Sequence, residues 1–187
     1  MSIQPEKPSW QPNDLDARIA ICVLVCCLVS TALTALDFRF SVGEMRLDII
    51  QKMTACISCL LCCQDSTEAS RKAGSLRVLV TAIGGVCGMA VVALDLILGS
   101  NPWMLALLMA AGLVPTLCLC RFAGAPAFNA RIGAISYLLV AGTLTGTARL
   151  WYAFFRLVST VFGAAVVTLV TWLMASRGHP RRSSAEV

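Results

Sequence analysis

The sequence predicts an all-α fold: a polytopic integral membrane helical bundle with six spans. Three observations lead to this class. Only 13% of the 187 residues are charged, whereas a soluble domain averages about 25%. Several uncharged runs are long enough to cross a hydrocarbon layer of about 30 Å as helices. Polar segments rich in turn-forming residues separate these runs.

The clearest part of the pattern is a pair of apolar runs over 78–98 and 103–120. They contain about 21 and about 18 residues, which suits one membrane crossing each. Asp95 is the single charge in the two runs together. Gly99, Ser100, Asn101 and Pro102 stand between them, and these residue types favour a turn. The sequence therefore predicts a transmembrane helical hairpin.

Three further uncharged runs predict spans over 19–36, 132–148 and 157–175. An aromatic run, LWYAFF from position 150, precedes the last of them and predicts a short corner at headgroup level. Residues 1–18 predict a flexible polar tail, and 176–187 predict a basic cytoplasmic tail. One transmembrane domain, 19–175, lies between the tails.

The segment over 43–63 allows two interpretations. Its apolar part, MTACISCLLCC, has about 11 residues and is too short to span a bilayer alone. Together with the charged residues before it, the segment predicts a sixth span if those charges face a polar interior. Alternatively, residues 45–63 form an amphipathic helix in the interface, which leaves five spans.

The distribution of lysine and arginine predicts the orientation. With six spans, about ten basic residues lie on the side of the C-terminal tail and four on the other side, so both ends are cytoplasmic. With five spans, only the N-terminus moves outside. A weak internal similarity between 18–37 and 77–95, each opening with arginine and closing on Ala-Leu-Asp, favours six. The identity of the membrane is not indicated.

Small residues recur one helical turn apart in three runs. Such spacing lets helix backbones approach closely in lipid, where dispersion contacts drive association. We expect tight helix contacts, within the chain or with a partner, at Gly84 and Gly88, at Gly142 and Gly146, and at Ser159 and Gly163.

Asp95 is a candidate intramembrane polar site. A carboxylate within a span is costly, so it should face protein, water or headgroups. It could serve an ion or proton pathway or pair with another charge. The simpler interpretation is that Asp95 reaches the interface, because it stands four residues before the turn.

The cysteines predict modification rather than metal binding. Cys62, Cys63, Cys118 and Cys120 stand at predicted cytoplasmic ends of spans, where reversible acylation occurs. A metal centre is not expected, since the chain has one histidine, in the tail. Ser183 and Ser184 follow two arginines and are candidate phosphorylation sites.

Two functions follow as hypotheses. The first is a non-enzymatic scaffold, trafficking or assembly partner that contacts another membrane protein, or a second copy of itself, through its helices. The alternative is a small transporter or channel, or a subunit of one, with Asp95 near the pathway. We expect no enzyme activity, because the spans lack converging catalytic groups. No cofactor is indicated, and without a basic soluble module neither is nucleic-acid binding.

Overall fold

The computed structural model describes residues 14–42, 45–99, 101–143 and 148–177. These residues form six helices and one pair of strands. The elements are α1 (Asp14–Ala35), β1 (Arg39–Val42), β2 (Met45–Asp48), α2 (Lys52–Cys62), α3 (Thr67–Ile97), α4 (Pro102–Phe122), α5 (Ala127–Gly142) and α6 (Ala148–Arg177). Four helices, α1, α3, α4 and α6, are long and apolar enough to cross a membrane, whereas α2 and α5 are shorter.

Successive helices alternate in direction. Cys26 of α1 contacts Cys59 of α2, and Cys27 contacts Cys56, so the two helices run antiparallel. We call the end of the bundle at which α1, α3 and α5 begin the first end. The opposite end carries the two strands, and we call it the hairpin end.

Contacts around the central helix α3 fix the remaining directions. Gly84 and Gly88 of α3 face Gly133 and Val140 of α5, so these two helices run parallel. Asp95, near the end of α3, pairs with an arginine at the start of α6, so α6 runs antiparallel to α3. The first helix therefore begins, and the last helix ends, at the same end of the bundle.

The single helix predicted over 43–63 is wrong, and so is the flat amphipathic helix over 45–63. The charged part of the segment belongs to an antiparallel strand pair, with Arg39 opposite Asp48 and Phe40 opposite Leu47. Polar and apolar residues alternate along both strands, and a period of two favours a strand. Only Lys52–Cys62, 11 residues, form a helix, α2.

Three other boundaries differ from the predicted ones. The first helix begins at Asp14, inside the predicted flexible tail. The third helix begins at Thr67, about ten residues early, where the Ser66 hydroxyl accepts from the Ala69 amide as an N-cap. The span predicted over 132–148 is instead a helix over Ala127–Gly142.

The predicted aromatic corner is wrong, because LWYAFF lies inside α6. Its rings instead form a cluster with the strand pair: Phe40 and Trp151 have ring centroids 4.5 Å apart, and Phe40 and Phe155 5.5 Å. The strands are thus fixed to the start of α6 by aromatic packing.

The turn between α3 and α4 forms where the sequence predicts it. Gly99 has φ +87°, a conformation that glycine adopts without strain. Asn101 then caps α4 by accepting from the Trp103 amide, and Pro102 occupies the first helical position, where its missing amide costs nothing.

Candidate functional site

A cavity of about 740 Å³ lies beside the strand pair, between α2, α3, α5 and α6. Its lining is strongly basic: it includes five basic side chains, Arg39, Arg46, Lys52, Arg77 and Arg156, and a single acid, Asp48. Low-dielectric walls strengthen the field of such a charge set. The cavity therefore favours an anion.

Two of these arginines are buried deep in the bundle. Arg77 of α3 is 6% exposed and Arg156 of α6 is 7% exposed. Arg156 donates from Nη1 to the Thr54 hydroxyl over 3.2 Å. Nε and Nη1 of Arg77, and Nε of Arg156, have no hydrogen-bond partner among the described residues. Buried donors of this kind are rare and call for a partner.

The acid in the lining does not neutralise this pair. Asp48 contacts Arg39 at 3.3 Å across the strands, where both side chains are partly exposed. The other ion pair among the described residues joins Asp95 to Arg149. Arg77 and Arg156 belong to neither ion pair, so their charge is available to the cavity.

The opposite wall of the cavity is apolar. It consists of side chains of α2 and α5: Met53, Ile57, Leu61, Ile132, Ile135 and Leu139. The site therefore combines a cationic wall with a hydrocarbon wall, which suits a ligand that has an anionic group and an apolar body.

A break in regular structure lies at the side of the cavity. Residues 49–51 are neither strand nor helix, and α2 starts only after them. The Gln51 amide donates to the Ser159 hydroxyl of α6 over 2.8 Å. Non-helical backbone at membrane depth is tolerated where it is buried in protein or lines a cavity, and Gln51 is part of this lining.

Asp95 is buried in the bundle and does not line the cavity. It is 3% exposed, and its Oδ2 lies 3.4 Å from Nη1 of Arg149, which is itself buried. Its Oδ1 has no hydrogen-bond partner among the described residues. The pair joins the end of α3 to the beginning of α6.

The small residues singled out from the sequence lie at contacts within the chain. A methyl group on Gly84 would overlap the carbonyl oxygen of Gly133, and one on Gly88 would lie 2.9 Å from Val140 Cβ. Gly163 packs in the same way on the Ala55 carbonyl of α2. Ser159 is the acceptor for Gln51. Gly142 faces Met109 of α4, and Gly146 lies outside the described residues.

The acylation candidates differ in burial. Cys62, Cys63 and Cys120 are buried, whereas Cys118 is exposed. An acyltransferase needs an accessible thiol, so this geometry favours Cys118 among the four. The phosphorylation candidates Ser183 and Ser184 lie outside the described residues. Among the described residues, no group of three or more side chains is placed to hold a metal ion.

The sequence contains one signal for the buried arginines. The predicted boundaries of the spans conceal it. Arg149 and Arg156 are seven residues apart, which places both on one face of a helix. The predicted corner has these two arginines at its limits, and a corner does not show their shared face. Arg77 stands just before a predicted span, whereas α3 begins ten residues earlier and carries it inside.

Long apolar helices around a polar, partly buried cavity define a multi-pass integral membrane protein. Residues 38–170 match the family described as fusaric acid resistance protein-like, a membrane family. The match covers more than two thirds of the chain, from the first strand through most of α6, so the chain belongs to this family. Comparison with curated proteins and with solved structures gives no significant match.

Proposed function

We propose that this protein moves an organic anion across the membrane through the cationic cavity. The observation that carries the proposal is the buried pair Arg77 and Arg156: both residues line the cavity, and both have donors without a partner among the described residues. An ionisable side chain inside a membrane domain is expensive and marks a substrate or ion pathway more often than a structural contact.

The chemistry of the guanidinium group narrows the substrate. Its planar fork matches two oxygens of a carboxylate or sulfonate, and these charge-assisted hydrogen bonds are strong. A cavity of about 740 Å³ falls in the range that holds one small organic ligand. The apolar wall accommodates a ring or chain attached to that anionic group.

The interrupted second span also supports transport. Transporters place substrates beside discontinuous helices, where free backbone groups and helix ends line the site. Here the strands, the non-helical residues 49–51 and α2 replace one continuous helix. The family description names resistance to an acid, and outward movement of an organic acid is one way in which a membrane protein confers such resistance.

A vesicle assay tests the proposal. Purified protein is reconstituted into liposomes loaded with benzenesulfonate, a permanently charged anion that leaks slowly, and efflux is followed over time. We expect efflux well above that of protein-free vesicles. Replacing Arg77 or Arg156 with Gln should lower the rate at least tenfold, because the anion loses its buried charge partner.

The matched control is Arg131→Gln, since Arg131 is exposed on α5 and does not line the cavity. Arg77→Lys keeps the positive charge but lacks the planar donor geometry of the guanidinium group, so it should give an intermediate efflux rate. If the core variants do not fold, Lys52→Gln on the exposed part of the lining tests the charge alone. Equal efflux from vesicles with wild-type protein and without protein would contradict the proposal, as would an equal loss in Arg131→Gln.

The scaffold hypothesis remains a prediction with less support. Its evidence was the small-residue spacing, and the described contacts of Gly84, Gly88 and Gly163 are made within the chain. They are therefore not free for a partner. Purification with one stoichiometric membrane partner, in the absence of anion efflux, would favour the scaffold.

We further infer that the first end faces the cytoplasm. Among the described residues, four exposed basic side chains lie there, against three at the hairpin end: Arg71 and Lys72 on the first turns of α3, Arg121 in the last turn of α4 and Arg131 in the second turn of α5. Basic residues concentrate on the cytoplasmic side of membrane proteins. The cavity would then be reached from the outer side, where the strands lie.

A further inference from the structure

We propose that the cavity binds single-chain anionic amphiphiles of the fatty acid type, which enter laterally from the bilayer between α2 and α5. The inference rests on the proposed function for the role of the site. It adds the substrate class and the route of entry.

The gap between α2 and α5 is the first observation. Both helices contribute apolar side chains to the cavity lining, but they do not pack along their lengths. Three of the apolar side chains on the walls are open to the surroundings: Met53 is 75% exposed, Ile57 40% and Ile135 53%. The side of the bundle at this point faces acyl chains, so a hydrocarbon tail can pass from lipid to cavity without crossing water.

The gap closes toward the first end. There Leu61 of α2 packs against the buried cluster that contains Ile132 of α5, together with Val80 and Cys120. An amphiphile in the gap therefore cannot continue toward the first end. Its polar group can instead reach the two buried arginines on the wall formed by α3 and α6.

The arginine pair provides the selectivity. A tail that moves from acyl chains to an isoleucine and leucine wall gains little, because the two environments are about equally apolar. The head group decides the binding energy: a carboxylate satisfies the open donors of Arg77 and Arg156, whereas an alcohol of the same length brings no charge. The site should therefore distinguish a fatty acid from a fatty alcohol.

The volume favours one chain. A cavity of about 740 Å³ suits one drug-sized molecule, and a diacyl phospholipid has twice the hydrocarbon. The predicted pose places the carboxylate at Arg77 and Arg156 and the tail against Met53, Ile57 and Ile135.

Photolabelling in nanodiscs of zwitterionic lipid tests this pose. The probes are two palmitate analogues, one with a diazirine near the carboxylate and one with it in mid-chain, and labelled residues are mapped by mass spectrometry. The first probe should label α3 and α6 around Arg77 and Arg156. The second should label 53–61 of α2 and 132–139 of α5.

Competition separates the site from the general lipid-facing surface. Excess palmitate should reduce this labelling at least tenfold, and hexadecanol should reduce it less than twofold. Labelling of the double variant Arg77→Gln, Arg156→Gln should be at least fivefold lower than labelling of the wild type. Labelling of Arg131→Gln should equal that of the wild type. Label that is spread equally over the exposed face of α4 and is not competed would overturn the proposal. So would equal competition by phosphatidylglycerol, which would identify a membrane phospholipid as the occupant.

The two proposals can fail separately. Specific palmitate labelling without benzenesulfonate efflux would retain the amphiphile site and overturn the transport function. Benzenesulfonate efflux that depends on Arg77, without specific palmitate labelling, would retain transport and overturn lateral entry of amphiphiles.

Discussion

Three arginines in the bundle interior have different surroundings. Arg149 pairs with Asp95, Arg156 donates to the hydroxyl of Thr54, and Arg77, which lines the cavity, has two nitrogens without a partner among the described residues. The first contributes to stability, because its charge is matched within the protein. The other two keep hydrogen-bonding capacity for a ligand.

The buried ion pair gives the first stability prediction. Asp95→Asn removes the carboxylate opposite Arg149, and breaking one side of a buried pair typically costs about 3–5 kcal/mol. We expect a clear fall in the unfolding temperature in detergent, with the exposed Asp65→Asn as control. The double variant Asp95→Leu, Arg149→Met should recover much of the loss, since it leaves no separated charge.

An unfolding temperature for Asp95→Asn equal to that of Asp65→Asn would show that the pair contributes nothing. Loss of anion efflux in Asp95→Asn at full stability would instead assign Asp95 to the pathway, as the alternative hypothesis from the sequence had it.

At the scale of elements, the contact between α3 and α5 holds the centre of the bundle. Two glycines on one face of α3 allow the α5 backbone to lie directly against it. Gly85 stands next to Gly84, but an added methyl group there would have no neighbour within 4 Å. The structure therefore leaves no space for a side chain at Gly84 but leaves space for one at Gly85, although the two glycines are adjacent in the same helix.

This contrast predicts opposite effects of the same substitution. Gly84→Ala forces the Gly133 backbone away and should destabilise the protein by about 1–3 kcal/mol, the usual cost of overpacking. Gly85→Ala should be neutral or stabilise by about 0.5–1 kcal/mol through helix propensity. Thermal unfolding of both variants in one detergent is the measurement. Equal destabilisation would contradict the close approach of α3 and α5.

The sequence predicted the elements whose pattern is uniform. The spans within α1, α3 and α4 are long uncharged runs, and the residues 99–102 separate α3 from α4 by turn chemistry that needs no tertiary context. The strands were missed because each has only four residues, and the two-residue period of Arg39–Val42 is too brief to stand out beside longer apolar runs. Arginines were read as span limits, which concealed the continuity of α6.

At the scale of the molecule, the alternating helices place the start of α1 and the end of α6 at the first end. The strands lie at the hairpin end. The proposed orientation places the first end in the cytoplasm, on the basis of its exposed basic residues. An epitope inserted in the exposed loop at 64–66 should be protected in intact cells, and one inserted at Gly99 should be reached by an impermeant antibody. Both loops are exposed on the protein, so antibody access reports only the side of the membrane on which each loop lies.

Access to both insertions from the same side would contradict the alternation of the helices. Access to 64–66 alone would reverse the orientation and place the strands in the cytoplasm.

The cavity could not be predicted from the sequence, although each of its parts was visible there. Its lining comes from both strands and from five of the helices, and Arg39 and Arg156 are more than a hundred positions apart. A pattern along one helix cannot report which side chains from distant helices converge. The small-residue spacings were easier to find, because residues one turn apart share a face by helix geometry alone.

The strand pair has a consequence for the bilayer itself. A ribbon of two strands leaves a row of amide and carbonyl groups open along each outer edge, and hydrocarbon offers these groups no partner. The ribbon must therefore lie in water or among headgroups. Helix α2 below it is only about 16 Å long at 1.5 Å per residue, roughly half of the hydrocarbon thickness. The membrane next to this protein is thus expected to be thinned on one side, with water reaching down to the level of Gln51.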